Sequence, residues 1–291
     1  MAASVELVEC PRDAWQGQAR IIATADKISY LRRLIELGFR HLDAVSFVSP
    51  RYVPQMADSE QVLQGLLRDG WRPDVEIIGI VVNDQGIRRA LATAGVSTLG
   101  YPHSVSPSFL QVNAHLTPDE SLALVRHLVR VCSVAHRGHV VYLSMAFGNP
   151  YGDPWSEQMV ADTIVELRKM GVQTLALADT VGLATASQIA RLLEHVRPVC
   201  EGIRWGVHLH GRPAEVEEKV LAAWEAGCRR FDTALTGLGG CPFAGDELVG
   251  NIPTEIVVRV LQRRGIHTGI SESALEEAVR ATMALRGRYG F

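Results

Sequence analysis

The sequence predicts a (β/α)8 barrel of the TIM type, with additional helices at its C-terminal end. Three observations predict it. Eight short apolar runs alternate with longer amphipathic ones, the pattern of a parallel sheet covered by helices. Four of the helix-to-strand junctions carry a glycine, at Gly38, Gly95, Gly171 and Gly227. A helix C-terminus favours glycine there because it accepts positive φ without a Cβ clash. Eight such units in about 250 residues match the size of this barrel. A doubly wound open sheet is the runner-up, but no GxGxxG follows any predicted strand.

The strands are read at 5–10, 41–47, 76–82, 98–101, 140–147, 174–178, 205–210 and 230–235. Helical patterns lie at 25–37, 59–68, 85–94, 118–135, 156–170, 184–196 and 214–226. Residues 253–291 read as a C-terminal helical extension, and no linker divides residues 1–291 into more than one domain. Barrel enzymes place their chemistry at the C-terminal ends of the strands. The reactive side chains of this sequence fall there. The first strand ends in Cys10-Pro11-Arg12-Asp13, and the second carries Asp43 and runs to Ser46-Phe47. The sixth ends in Asp179-Thr180 and the seventh in His208-Leu209-His210. The eighth leads to Gly237-Leu238-Gly239-Gly240-Cys241-Pro242, and Gly250-Asn251 follows.

Composition narrows the class. The 291 residues are 47% hydrophobic, enough for one large core, and the net charge is −3 with acids and bases mixed along the chain. No basic block argues for a nucleic-acid partner. The five cysteines form no CxxC pair, which reads as reduced thiols in the cytosol. No apolar run reaches the length of a membrane span, and no basic flank with an apolar stretch opens the chain. A cytoplasmic protein with no membrane partner is expected. Barrel enzymes of this size often pair, so a homodimer is carried as an expectation that no sequence feature fixes.

His208 and His210 lie two apart at a strand end, so both imidazoles point to one face. With Asp13 and Asn251 they offer oxygen and nitrogen ligands without a thiolate, a set that suits Mg2+ or Mn2+ better than zinc. One histidine alone would read as a core or surface residue; the pair beside an acid shifts the reading to a metal site. Arg12 is placed to hold a carboxylate or a developing enolate oxygen. Equally, it can form a structural ion pair with Asp43 or Asp179. Cys241, in a loop of small residues, reads as a thiol acid or base on a lid, against an incidental surface thiol. Cys10, Cys132, Cys200 and Cys228 read as packing.

Taken together, these residues resemble the 3-hydroxy-3-methylglutaryl-CoA lyase family, within the metal-dependent lyase and aldolase barrels. The resemblance spans nearly the whole chain. Its most specific pieces are Ser46-Phe47-Val48-Ser49-Pro50, Asp179-Thr180-Val181-Gly182, His208-Leu209-His210, Gly237 to Pro242, and Gly250-Asn251-Ile252-Pro253. The resemblance implies that Asp13, His208, His210 and Asn251 bind a divalent metal, Mg2+ or Mn2+. It implies that Arg12 stabilises an enolate, that Cys241 is a catalytic thiol, and that Asp43 and Asp179 belong to the catalytic set. The implied substrate is an acyl-CoA thioester, cleaved to acetyl-CoA and acetoacetate or the corresponding oxo acid. The chain departs from the family pattern at Asp43, where the family has glutamate, and at Asn149, Ala176 and Arg212. These departures leave the 3-substituent open. A different aldolase or acyl-transfer enzyme on the same barrel, or an inactive binding protein, are the alternative readings.

Overall fold

The computed structural model describes residues 4–68, 74–239 and 249–291. Eight parallel strands close into a barrel in sequence order. They are β1 Glu6–Glu9, β2 His41–Ser46, β3 Glu76–Ile80, β4 Thr98–Ser104, β5 Gly138–Ser144, β6 Thr174–Ala178, β7 Arg204–His208 and β8 Arg230–Thr233. The expected barrel is therefore present, and β1 closes on β8 with Leu7 opposite Phe231. The helices are α1 Pro11–Gln16, α2 Thr24–Glu36, α3 Ser59–Arg68, α4 Asp84–Ala92, α5 Pro107–Ala114, α6 Pro118–Val134, α7 Glu157–Lys169, α8 Ala186–Val196 and α9 Val216–Glu225. Two more, α10 Thr254–Arg263 and α11 Glu272–Tyr289, occupy the tail. No described helix is long and apolar enough to cross a membrane.

Side chains alternate across each strand, so one set packs outward under the helices and the other fills the barrel. Leu7, Leu42, Ile77, Leu99 and Val141 belong to the large core beneath the helices. Val8, Cys10, Ile78, Ile80, Val140 and Tyr142 form a separate interior cluster. The glycines at the four helix-to-strand junctions all adopt the positive φ expected of them, between 91° and 108°. Gly206 on β7 serves a different need. A Cβ there would stand 2.3 Å from the Arg230 carbonyl oxygen and 2.6 Å from its Cβ. That closeness lets the fully buried Arg230 lie across the strand and pair with Asp232 at 2.8 Å and Glu6 at 3.1 Å.

Two helices were absent from the sequence reading. Helix α1 has six residues, too short to display a 3.6-residue period, and Pro11 starts it at a position where the missing N–H costs nothing. Helix α5 has apolar residues but no clean stripe. The reading of β7 to residue 210 is also corrected: the strand ends at His208. His210 lies beyond it, in an isolated antiparallel bridge to Asn251.

Buried Glu9 ties β1 to the chain that follows β8. Its carboxylate accepts from the Leu235 N–H at 2.7 Å and from the Thr254 hydroxyl. Burial, opposed by these two bonds, raises its pKa to about 8. A carboxyl whose folded pKa is raised contributes stability below its unfolded value, and that contribution is lost as pH rises through the folded value. Glu9→Gln should therefore flatten the fall in stability between pH 5 and pH 8, an effect of about 3 kcal/mol at the upper end. Melting temperature followed across that range checks it; a slope identical to that of the parent chain would count against the assignment.

Candidate metal centre and active site

The site is assembled where β1, β7 and the 250–253 segment meet. Asp13 sits in the first turn of α1, directly after β1. His208 is the last residue of β7. The Gly211 N–H donates to the Gly250 carbonyl at 3.1 Å and the Ile252 N–H to that of Leu209 at 3.2 Å. These bonds lay residues 250–252 along the end of β7 and bring Asn251 to the histidines. Gly239 permits the closeness, since a Cβ on it would lie 2.6 Å from the Asn251 Nδ2 and 2.8 Å from the Asp13 carbonyl oxygen.

The result is a compact buried donor set. One ligating atom from each of Asp13, His208 and His210 lies within 4.8 Å of the others. The two imidazole Nε2 atoms stand 3.2 Å apart. The Asn251 Nδ2 donates to Asp13 Oδ2 at 2.7 Å and to the Leu238 carbonyl at 2.8 Å. Its Oδ1 is buried without a hydrogen-bond partner among the described residues. A buried amide oxygen left without a donor is costly. A divalent cation among Asp13, His208 and His210 would accept lone pairs from the carboxylate and both imidazoles, and oxygen–nitrogen coordination of this kind suits a hard or borderline ion. The residues present therefore fit a metal.

Electrostatics agree with that fit. Burial alone would raise the Asp13 carboxyl, but Arg12, then His208 and His210, and the Asn251 bond hold it down at about 2. Burial, reinforced by the charge of His208, lowers His210 to about 4, so it keeps a free lone pair at neutral pH. For His208, burial pulls downward but Asp232, 3.4 Å from Nδ1, prevails and raises it. A carboxylate behind a ligating imidazole orients the ring and fixes its tautomer. Cys10 also lies near His208 and Asp232. Burial raises its thiol well above the ordinary range, so it supplies no thiolate.

Arg12 meets Asp43 through two bonds, one from Nε to Oδ1 at 3.0 Å and one from Nη2 to Oδ2. Its Nη1 donates to Asp13 Oδ1 and Gln16 Oε1, each at 3.0 Å. Burial works against the Arg12 charge, but Asp43 and then Asp13 hold the guanidinium above its usual range. Burial pushes the Asp43 carboxyl up, and Arg12 opposes that shift. Of the two acids left open as partners for Arg12, the structure selects Asp43. Asp179 is held elsewhere. It accepts from the backbone N–H of Leu183 at 2.9 Å and of Ala184 at 3.1 Å, with Lys219 at 3.9 Å. Burial raises Asp179 to about 6 against those contacts. Lys219 also donates to the His210 carbonyl at 2.9 Å. Cys241 lies outside the described residues. The other four cysteines are buried and unpaired, as the packing reading requires.

Sequence reasoning missed Gln16, Asp232, Lys219 and Tyr142. Gln16 donates to Asp13 Oδ1 at 2.8 Å, and its place one helical turn after Arg12 was the available signal. Tyr142 packs edge-on to His208 with ring centroids 6.0 Å apart, and its buried hydroxyl has no partner among the described residues. A cavity of about 640 Å³ opens above this set, with Arg12, Asp13, His208, His210 and Tyr142 in its lining.

A closed (β/α)8 barrel with a buried Asp13–His208–His210 cluster and a carboxylate-clamped arginine at one mouth fits a class, the metal-dependent lyase barrels. The HMGL-like family model matches residues 5–281. The chain belongs to that family. It is 33% identical over 278 residues to the human "3-hydroxy-3-methylglutaryl-CoA lyase, cytoplasmic", covering 94% of this chain and 73% of that protein. It is 34% identical over 293 residues to the Pseudomonas aeruginosa "3-hydroxy-3-isohexenylglutaryl-CoA/hydroxy-methylglutaryl-CoA lyase", covering 98% of this chain and 93% of that one. Among solved structures, an HMG-CoA lyase from Brucella melitensis superposes with a TM-score of 0.89 at 32% identity, over 98% of this chain and 100% of the other. An HMG-CoA lyase crystallised with coenzyme A and 3-methylmalate gives 0.90 at 32% identity, over 98% and 92%.

Proposed function

We propose that this chain is a divalent-metal-dependent carbon–carbon lyase that cleaves 3-hydroxy-3-methylglutaryl-CoA, or a close 3-hydroxyacyl-CoA relative, to acetyl-CoA and an oxo acid in the cytoplasm. The observation that carries the reading is the buried cluster of Asp13, His208 and His210, with the Asn251 amide bonded to Asp13 and its Oδ1 left without a hydrogen-bond partner among the described residues. Asp13, His208, His210 and Asn251 would hold the ion. A divalent ion there, Mg2+ or Mn2+, would lower the pKa of the substrate hydroxyl and offset charge on its oxygen.

The chain's own residues do the rest. Asp232 orients His208 from behind, and Gln16 with Asn251 fixes the Asp13 carboxylate. Arg12 is held by Asp43 on one edge and by Asp13 and Gln16 through Nη1. Those bonds use four of the five guanidinium N–H groups. The fifth, on Nη2, donates to the thioester oxygen as negative charge develops there on C–C cleavage. A donor fixed before the reaction stabilises that charge without reorganising. The substrate hydroxyl gives its proton to solvent water as the C–C bond breaks, and Cys241 is proposed to deliver a proton to the enolate carbon. Asp179 acts on the centre through Lys219, which grips the His210 carbonyl, and so is a positioning residue.

The direct test follows acetyl-CoA release from 3-hydroxy-3-methylglutaryl-CoA with Mn2+ or Mg2+, beside a chelated control and Cys241→Ala. Metal-dependent turnover that falls with the thiol is expected. Turnover untouched by chelation would remove the metal from the mechanism. Metal binding without turnover would favour the other aldolase or acyl-transfer chemistries.

A further inference from the structure

The end of the barrel opposite the metal centre is closed by polar side chains. Six strands begin with one: Glu6 of β1, His41 of β2, Glu76 of β3, Thr98 of β4, Arg204 of β7 and Arg230 of β8. Arg204 donates from Nε to Glu6 at 2.8 Å and from Nη2 to Glu76 at 3.0 Å. Thr98 donates to Glu76 at 2.6 Å, and His41 Nδ1 stands 2.8 Å from the same carboxylate. A ring of this kind at the N-terminal face of a barrel ordinarily contributes stability. Arg230 connects it to something further.

Arg230 is 2% exposed and reaches up the inside of the barrel. Its Nε lies 3.1 Å from Glu6 Oε1, in the ring, and its Nη1 lies 2.8 Å from Asp232 Oδ1. The other oxygen of Asp232 lies 3.4 Å from Nδ1 of His208. Residues 230 and 232 share a strand face, so both point into the barrel. The facing atoms of Arg230, Asp232 and His208 are buried and form no aligned hydrogen bond among the described residues, so charge is what joins them. Charge attraction is far stronger in such an interior than in water. Asp43 and Asp232 are both fully buried there. Arg12 is committed to Asp43 and Asp13, which leaves Arg230 to Asp232. A buried carboxylate deprived of its cation is not held in place.

We propose that Arg230 is a positioning residue of the metal centre: it holds Asp232 against His208 from below, and so sets how tightly His208, with Asp13 and His210, takes a divalent ion. Arg230 touches neither the ion nor the substrate. This inference rests on the metal-dependent reading and adds to it a residue from the opposite end of the barrel. Loss of a nearby cation would, by repulsion alone, tighten the binding of a divalent ion. Loss of Asp232 from its place loosens it. The direction of the change therefore separates positioning from repulsion.

The test is Mn2+ binding by calorimetry to the parent chain, Arg230→Gln, Arg230→Lys, Asp232→Asn and Arg230→Gln/Asp232→Asn. Arg230→Gln is expected to weaken binding about tenfold, the lower end of the loss seen when an outer partner of a metal ligand is removed. Arg230→Lys keeps the charge and should recover most of that loss. Adding Arg230→Gln to Asp232→Asn should change the affinity by less than about twofold, because the arginine acts only through the carboxylate. If Arg230→Gln does not fold, Glu6→Gln/Arg230→Gln, which removes one charge of each sign, takes its place with the same expectation. Unchanged or tighter binding without Arg230, no recovery with lysine, or losses that multiply in Arg230→Gln/Asp232→Asn overturn this inference and leave the metal centre standing. A parent chain that binds no Mn2+ overturns both.

Discussion

Arg12→Met should lower kcat by about 10²–10³-fold, the usual loss when one preorganised donor to a developing oxyanion is removed. It should also destabilise the fold, because Arg12 is the partner that Asp43 meets through two bonds in a fully buried setting. Removing one member of a buried pair strands the other and costs about 3–5 kcal/mol. The two effects are separable. In Arg12→Met/Asp43→Leu the Asp43 carboxylate is no longer there to be stranded, Asp13 keeps its bonds from Gln16 and Asn251, and much of the stability should return. Activity should not return, since the donor is still missing. Chemical denaturation and steady-state kinetics on the two variants read the two quantities independently. Recovery of activity in the double variant would show that Arg12 acts only by neutralising Asp43.

The second large effect is expected at Asp13. It is the carboxylate of the donor set and meets Arg12, Gln16 and Asn251 at once. Asp13→Ala removes a charged ligand, so Mn2+ affinity measured by calorimetry should fall by more than the roughly 10–100-fold typical of losing an orienting partner. Turnover should fall by about 10³-fold or more, because hydroxyl activation depends on the ion. A ligand that binds only the folded state raises stability by mass action, about 2.7 kcal/mol at a hundred times its dissociation constant. Saturating Mn2+ should thus raise the melting temperature of the parent chain and leave that of Asp13→Ala in place. Unchanged Mn2+ affinity in this variant would sink the metal centre as drawn.

Much of the donor set was legible because it depends on local rules. The two-residue spacing of His208 and His210 and the position of Asp13 after the first strand follow from strand ends facing one mouth. Other parts depended on contacts that spacing does not encode. His210 is not in the strand at all; its backbone pairing with Asn251, 41 residues on, holds it. The sequence offers both Asp43 and Asp179 as ion-pair partners for Arg12. Closure decided between them, because β2 is hydrogen-bonded to β1 while Asp179 follows β6 and is turned to the N–H groups that precede α8.

The sequence by itself determined that this is a (β/α)8 barrel, since alternating apolar periods and glycine caps are properties of neighbouring residues. It also determined which residue types crowd the mouth and which family they belong to. Only the tertiary structure decided the pairing of Arg12, the second line of support from Gln16, Asp232 and Lys219, and the apolar wall over the metal centre. That wall draws on Val48 and Val53 after β2, Ile80 at the end of β3, and Phe109, Val112 and Leu116 in and after α5. No window of sequence holds them together, because their closeness is created only when the barrel closes and its loops are laid across one rim.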